Sequence, residues 1–152
     1  MDNNKYVLIL TVGGSPEPLI FSINEANPDI VCFLHSEGSK KDAQFVAESV
    51  DDNIEFRYFL VSSHESIDAT FEKASEVFDE FKDKNYFVHV DGTGGTKVMS
   101  NGLVLAAARY NKIVDKYTYV GSTSKDGRNK NGVGVVKEGS ELIKKQIFNF
   151  ED

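Results

Sequence analysis

Short apolar runs alternate along this chain with longer segments in which apolar residues recur at helical spacing. Five runs are rich in β-branched and aromatic residues, and we predict strands over residues 5–12, 29–36, 54–61, 86–91 and 116–122. A helix between two such strands carries the chain back across one face of the sheet, which makes the strands parallel. The sequence therefore predicts a three-layer α/β sandwich around a mostly parallel sheet with helices on both faces.

Four helices are predicted from caps and apolar spacing. The first has Pro16 or Pro18 in its opening turn and ends at the Asn27-Pro28 pair. The second follows Ser39, which is placed as an N-cap with an aspartate three residues later. The other two are predicted over residues 67–81, which have the clearest amphipathic stripe in the chain, and over residues 98–110.

The C-terminal part of the chain predicts a β-hairpin. Residues 116–122 and 132–139 are β-rich, and they bracket the polar segment TSKDGRNKN. The tail SELIKKQIFNFED suits either a short helix or a strand. Since no repeat or interdomain linker interrupts the sequence, we treat residues 1–152 as one domain.

Composition and cysteine use limit the class of protein. Hydrophobic residues make up 40% of the chain and charged residues 27%, which is ordinary for a soluble globular protein. No apolar run has the length of a membrane span, and the start MDNNKY lacks the features of a signal peptide. The lone Cys32 indicates a reducing compartment, so we expect a cytoplasmic protein. Because the histidines and the cysteine are not at ligand spacing, we expect no metal site, and we expect no other cofactor.

The net charge of -7 argues against binding to long nucleic acid through a general basic surface. A phosphate ligand would have to be held by local geometry, because the overall negative charge of the chain repels it. This favours a small, specific anion bound by backbone N–H groups and a few cations.

Three loops follow predicted strands at the ends where parallel sheets bind ligands. They span residues 11–18, 35–40 and 91–97. The carboxyl ends of parallel strands lie at one edge of the sheet, so loops that are distant in sequence can meet there. We expect the three loops to converge on one site.

The third loop is a glycine-rich corner with the sequence DGTGGTK. Gly92, Gly94 and Gly95 clear space above the backbone. The helix that follows points unpaired N–H groups and the positive end of its dipole into that space, beside Lys97. These features predict a phosphate seat; the alternative is a tight turn in which Thr96 caps the helix.

Two familiar phosphate loops do not fit the spacing of this corner. A Walker-type loop needs Gly-Lys followed by Ser or Thr, whereas this chain has Gly95-Thr96-Lys97 followed by Val98. A dinucleotide fingerprint needs a third glycine at the position that Lys97 occupies. The residues 13–16 do not supply that fingerprint either.

The stretch from Asp91 to Met99 after an apolar strand resembles the second motif of the CRISPR-associated Rossmann-fold (CARF) domains, which sense cyclic oligoadenylates in type III CRISPR systems. Residues 11–15 resemble the first ligand loop of that family, and residues 128–136 with Glu138 and Gly139 resemble a late segment of one of its branches. The resemblance implies a Rossmann-like fold and a homodimer that binds the cyclic ligand across its two-fold axis.

The resemblance also implies roles for individual residues. Lys97 is expected to bind phosphate, Asn101 to contact adenine or the dimer mate, and Arg128, with Lys125 and Lys130, to close over the phosphates. The alternatives are a solvated lysine at residue 97, a solvated loop around residue 128, a Gly-Pro loop at residues 12–15 and a core position for Met99. The implied ligand-binding residues are Thr11, Val12, Gly13, Gly14, Ser15, Ser36, Gly92, Thr93, Gly94, Gly95, Thr96, Lys97, Met99 and Arg128.

Two further residues of the fourth predicted strand are interpreted as structural. Asp91 is expected to order the corner through a hydrogen bond to its backbone rather than to contact an anion. His89 is expected to be a packed core histidine rather than a catalytic group.

Three functions remain open from the sequence. The first is a cyclic oligoadenylate sensor, either alone or as the sensor part of a longer effector. The second is a metal-independent ring nuclease in which a ribose 2′-hydroxyl attacks the adjacent phosphate, with Lys97 and Thr96 stabilising the developing charge. The third is a Rossmann-like domain for an ordinary mononucleotide or sugar phosphate.

Overall fold

The computed structural model describes residues 5–122 and 143–149. All five strands and all four helices predicted before residue 123 are present. The strands are β1 Tyr6–Thr11, β2 Ile30–His35, β3 Glu55–Leu60, β4 Phe87–Asp91, β5 Lys116–Ser122 and β6 Ile143–Asn149. The helices are α1 Pro16–Ala26, α2 Lys40–Glu48, α3 Ile67–Phe81 and α4 Lys97–Arg109, and a short 3₁₀ helix spans Glu37–Ser39.

The strands form one sheet in the order β3-β2-β1-β4-β5-β6. The first five strands are parallel, and β6 is antiparallel to β5. The predicted fold class, a mostly parallel three-layer α/β sandwich, is confirmed. The tail forms a strand rather than a helix, whereas the predicted strand at 132–139 lies outside the described residues.

Two apolar cores lie on opposite faces of the sheet. In β1, Val7 and Ile9 face the core that packs against α3 and α4, whereas Leu8 and Leu10 face the core beneath α1 and α2. Both sets are fully buried, because β1 and its neighbours lie between two layers of helices. This explains why the inner strands read as continuous apolar runs rather than as alternating ones.

The strand order places a crevice at the end of β1. The connection through α1 leads to β2 on one side of β1, and β4 pairs with β1 on the other side. The chain therefore diverges at the carboxyl ends of β1 and β4, which is where open α/β sheets bind their ligands. Leu10 pairs with Asp91, so the loops that follow β1 and β4 begin side by side.

Helices α3 and α4 cross closely at Gly102. A side chain there would meet the Ile67 carbonyl oxygen at 2.7 Å and Thr70 Cβ at 2.8 Å. This close crossing sets the first turn of α3 beside α4, so the packing of two helices helps to position the loop that enters α3.

We predict that Gly102→Ala destabilises the fold. The methyl group would press on the backbone of α3, and overpacking of this kind costs about 1–3 kcal/mol, offset by up to about 1 kcal/mol of better helix propensity. Chemical denaturation measures the change. Gly38→Ala is the control, since nothing lies within 4 Å of a Cβ at that position; equal free energies of unfolding for the two variants would contradict the role of the crossing.

Candidate ligand-binding site

The corner between β4 and α4 has a backbone that requires glycine. Gly95 has a φ of +83°, in the left-handed region that residues with a Cβ rarely adopt. At Gly94 a Cβ would collide with the Thr11 carbonyl oxygen, and at Gly92 it would collide with the Tyr117 hydroxyl. The glycines therefore do more than permit a turn, because two of them let other parts of the chain approach the corner closely.

The loop after β1 lies against this corner. The Thr11 hydroxyl donates to the Gly94 carbonyl oxygen at 2.6 Å. A Cβ on Gly13 would lie 2.7 Å from the Gly95 nitrogen, so only glycine fits at residue 13 without displacing the corner. Two of the three predicted loops thus converge on a single surface.

The third predicted loop ends at the same edge of the sheet, but among the described residues no hydrogen bond joins it to the corner. Val12 N–H donates to the Leu34 carbonyl, so the β1 loop begins beside the end of β2. Ser36 directly follows the last residue of β2. The Ser36 hydroxyl lies 3.0 Å from that of Ser39, and Ser36 N–H donates to Ser39 Oγ. Within the described residues, no hydrogen bond joins Ser36 to residues 91–97.

Helix α2 begins directly after Ser39, as predicted, but the Ser39 hydroxyl does not cap it. The expected pairing of Ser39 with Asp42 is replaced by a capping box between Ser36 and Ser39 around the short 3₁₀ helix. The extra turn is the physical reason, because it offers the Ser39 hydroxyl a nearer partner than the first turn of α2.

A fourth loop, which sequence reasoning missed, borders the corner. The Thr96 hydroxyl donates to the His64 carbonyl oxygen at 2.9 Å and accepts the Met99 N–H at 3.1 Å. Thr96 is therefore the N-cap of α4 and also ties the β3–α3 loop to the site. Because its hydroxyl proton is engaged, any contribution of Thr96 to an anion comes from its backbone N–H.

The start of α4 presents unpaired donors. Among the described residues, no acceptor pairs with the backbone N–H groups of residues 94–98. Lys97 is exposed and makes no ion pair with the described part of the chain.

The first turn of α4 contains no acidic residue, whereas the first turns of α1, α2 and α3 contain Glu17, Asp42 and Asp68. Among the four described α-helices, α4 is thus the one whose positive dipole end has no carboxylate in its first turn.

Several predicted site residues lie beneath the surface rather than on it. Thr11, Val12 and Met99 are at most 1% exposed. Val12 and Met99 belong to the two apolar cores, and Thr11 bonds the corner from the buried end of β1. The predicted residues with some exposure next to the crevice are Gly13, Gly14, Ser15, Thr93, Gly94, Gly95, Thr96 and Lys97. Arg128, Lys125 and Lys130 lie outside the described residues.

Asp91 holds the corner in shape, as predicted. It is fully buried, and its Oδ1 accepts the Thr93 N–H at 2.9 Å. Its Oδ2 accepts the hydroxyls of Ser22 and Thr118 at 2.8 and 2.7 Å. His89 is 3% exposed, which agrees with its predicted place in the packed sheet.

The end of β5 supports the corner from the other side. Val120 N–H donates to the Thr93 hydroxyl at 2.7 Å, and Gly92 N–H donates to the Thr118 carbonyl at 3.2 Å. Burial, with the nearby Asp91 charge, raises the pKa of Tyr117 to about 12. The Tyr117 phenol beneath Gly92 therefore stays protonated and uncharged at neutral pH.

Neither a metal cluster nor a membrane helix is found in the described part of the chain. No group of three or more His, Cys, Asp or Glu residues there is placed to hold a metal ion. None of the helices described is long and apolar enough to cross a bilayer.

The fold is shared with several proteins of solved structure. The structure superposes on Can2 from Sulfobacillus thermosulfidooxidans in complex with cyclic tetra-adenylate, with a TM-score of 0.60 and 17% identity over 75% of this chain and 31% of that one. Enterococcus italicus Csm6 bound to cyclic hexa-2′-fluoro-hexa-dAMP gives a TM-score of 0.62 and 17% identity over 78% of this chain and 34% of that one.

A type III CRISPR defence DNA nuclease activated by cyclic oligoadenylate gives a TM-score of 0.63 and 18% identity, over 81% of this chain and 20% of that one. The chain thus spans about a third or less of each of these proteins. No protein-family model and no curated protein matches the sequence. The similarity indicated by the glycine-rich corner is confirmed at the level of the fold.

We predict that two adjacent glycines of the β1 loop respond differently to alanine. Gly13→Ala presses on Gly95 and should lower stability by about 1–3 kcal/mol, or several degrees in Tm for a chain of this size. Gly14→Ala should change Tm little, because nothing lies within 4 Å of a Cβ there. Thermal unfolding of both variants is the measurement, and equal Tm values would contradict the close contact between the two loops.

Proposed function

We propose that this chain is a CARF-type sensor domain that binds a cyclic oligoadenylate at the carboxyl edge of β1 and β4. The observation that carries the proposal is the corner itself, in which the N–H groups of residues 94–98 have no acceptor among the described residues and Lys97 is exposed beside them. Phosphate fits such a seat because N–H donors, a helix dipole and a cation all favour an anion. The likeness of the fold to solved structures that hold cyclic oligoadenylates supports this choice of ligand.

The two loops that contact each other are assigned to different parts of the ligand. In dinucleotide-binding folds the pyrophosphate lies at the N-terminus of the first helix. Here the first turn of α1 contains Pro16 and Pro18, which have no N–H, and the carboxylate of Glu17. We therefore assign phosphate to the start of α4 and the base or ribose to Gly13, Gly14 and Ser15.

The same geometry supports a homodimer. Lys97, Asn101 and Leu105 follow one another at four-residue spacing on the exposed side of α4, and Leu105 is 51% exposed. A second copy facing this stripe would bring two helix N-termini and two Lys97 side chains to one ring. The doubled positive potential would offset the acidic background of a chain with a net charge of -7. An isologous pair also suits a ring of repeated adenylates.

The proposed location of the protein is the cytoplasm. Binding of the cyclic ligand to the sensor would there control the activity of an effector. Cys32 is a free, buried thiol, and burial raises its pKa to about 12. An unreactive thiol of this kind is compatible with a reducing compartment.

We predict that Lys97→Ala weakens binding of cyclic tetra-adenylate or cyclic hexa-adenylate by about tenfold or more, since a charge-assisted contact to phosphate is lost. Lys84→Ala is the matched control, because it removes the same charge from an exposed lysine before β4, at the opposite edge of the sheet. Anisotropy with labelled rings gives both dissociation constants. Unchanged affinity in Lys97→Ala would show that the ligand binds elsewhere.

Two parallel experiments distinguish the sensor from a mononucleotide-binding domain and from a ring nuclease. A thermal shift with ATP but with neither ring would indicate a mononucleotide-binding domain instead. Chromatography of a ring incubated with excess protein tests for a ring nuclease, which would release linear products ending in a 2′,3′-cyclic phosphate. A ring that stays intact would leave the sensor as the function.

A further inference from the structure

A chain of polar side chains runs beneath the corner across three strands. It consists of Tyr6 on β1, His89 and Asp91 on β4, Thr118 on β5 and Ser22 on α1, and we call it the polar chain. Tyr6 OH lies 2.8 Å from His89 Nδ1, and His89 Nε2 lies 2.6 Å from Thr118 Oγ1. The hydroxyls of Thr118 and Ser22 reach Asp91 Oδ2 at 2.7 and 2.8 Å. Except for Tyr6, these residues are at most 3% exposed.

The hydrogen bonds of the polar chain have a direction. An ionised carboxylate only accepts, so the single proton of the Thr118 hydroxyl points to Asp91. The Thr118 oxygen must then accept the proton of His89 Nε2. If the imidazole is neutral, its Nδ1 has no proton, and Tyr6 then donates to His89.

The state of Tyr6 agrees with this direction. Burial raises the pKa of its phenol to about 12, so it keeps the proton that it donates. With a neutral imidazole, every bond from Tyr6 to Asp91 runs towards the carboxylate, and the His89 ring carries its proton on Nε2.

The end of the polar chain shapes the corner. Asp91 receives the two hydroxyls on Oδ2 and uses Oδ1 to bind the Thr93 N–H at 2.9 Å. The two hydroxyls fix the rotation of the carboxylate and partly offset its charge, which matters because a buried charge is weakly screened. The Thr93 N–H is thereby turned inwards, and the following N–H groups of residues 94–98 have no acceptor among the described residues.

We propose that Thr118, Ser22 and His89 are positioning residues for the anion seat. They act through Asp91, because the orientation of its carboxylate determines the turn at Thr93. That turn determines the direction in which the following N–H groups point. Removing the Thr118 hydroxyl would free the carboxylate to rotate and would leave more negative charge beneath the bound anion. The inference rests on the proposed function, and it adds residues that do not touch the ligand.

The test compares two buried threonines. Thr118→Val is expected to weaken binding of cyclic tetra-adenylate or cyclic hexa-adenylate by about tenfold, and Thr118→Ser to restore it to within about threefold. Thr70→Val is the matched control: Thr70 is fully buried, and its hydroxyl has no hydrogen-bond partner among the described residues. Its affinity should stay within about twofold of the wild type.

A second readout needs no ligand. The ¹⁵N shifts of the His89 ring should show the Nε2–H tautomer in the wild-type protein, and the Thr93 amide signal should move in Thr118→Val and return in Thr118→Ser. A proton on Nδ1 would overturn the directed chain. A role for Thr118 in stability alone would lower Tm without weakening the affinity of the folded protein.

The outcomes separate the inference from the function on which it rests. Wild-type protein that binds neither ring overturns the proposed function, while the His89 tautomer still tests the polar chain. Wild-type protein that binds, together with a folded Thr118→Val that binds equally well, overturns the positioning role and leaves the function standing. If Thr118→Val does not fold, Ser22→Ala takes its place, with an expected loss of about threefold or more and the same overturning result.

Discussion

The contact between the β1 loop and the glycine-rich corner is the constraint on which the site depends. Thr11 binds the Gly94 carbonyl from below, and Gly13 leaves room for the Gly95 nitrogen. A side chain on Gly13 or Gly94 would push the two loops apart. The pairing of β1 with β4 brings these loops together, so the site follows from the strand order at the centre of the sheet.

Electrostatics explains why this corner, rather than another helix start, is the candidate for an anion. The chain is acidic, and the first turns of α1, α2 and α3 each contain a carboxylate, while that of α4 does not. Asp91 is a carboxylate close to the corner, and its two oxygens accept from three donors, on Ser22, Thr93 and Thr118. A buried carboxylate can thus order the turn while the N–H groups beyond it face the crevice.

The sequence was sufficient to predict β1 to β5, α1 to α4 and the meeting of two loops. Apolar periodicity and the end of α1 at Asn27 depend on local chemistry, and these predictions held. Contacts between distant side chains were not predictable in the same way. The Thr96 bond to His64 depends on how α3 packs on α4, and the link from Tyr6 to Thr118 requires the strand order and the register of β1, β4 and β5. No local pattern specifies those distances.

Calorimetric titration of the protein with cyclic tetra-adenylate, and in parallel with cyclic hexa-adenylate, shows whether two chains bind one ring at the corner. We expect a saturating isotherm for one of the rings at one ring per two chains, because each chain supplies one corner to a shared site. Saturation at one ring per chain would contradict the shared site. No saturable heat with either ring would contradict the ligand itself, and the corner would then be a tight turn at the end of β4.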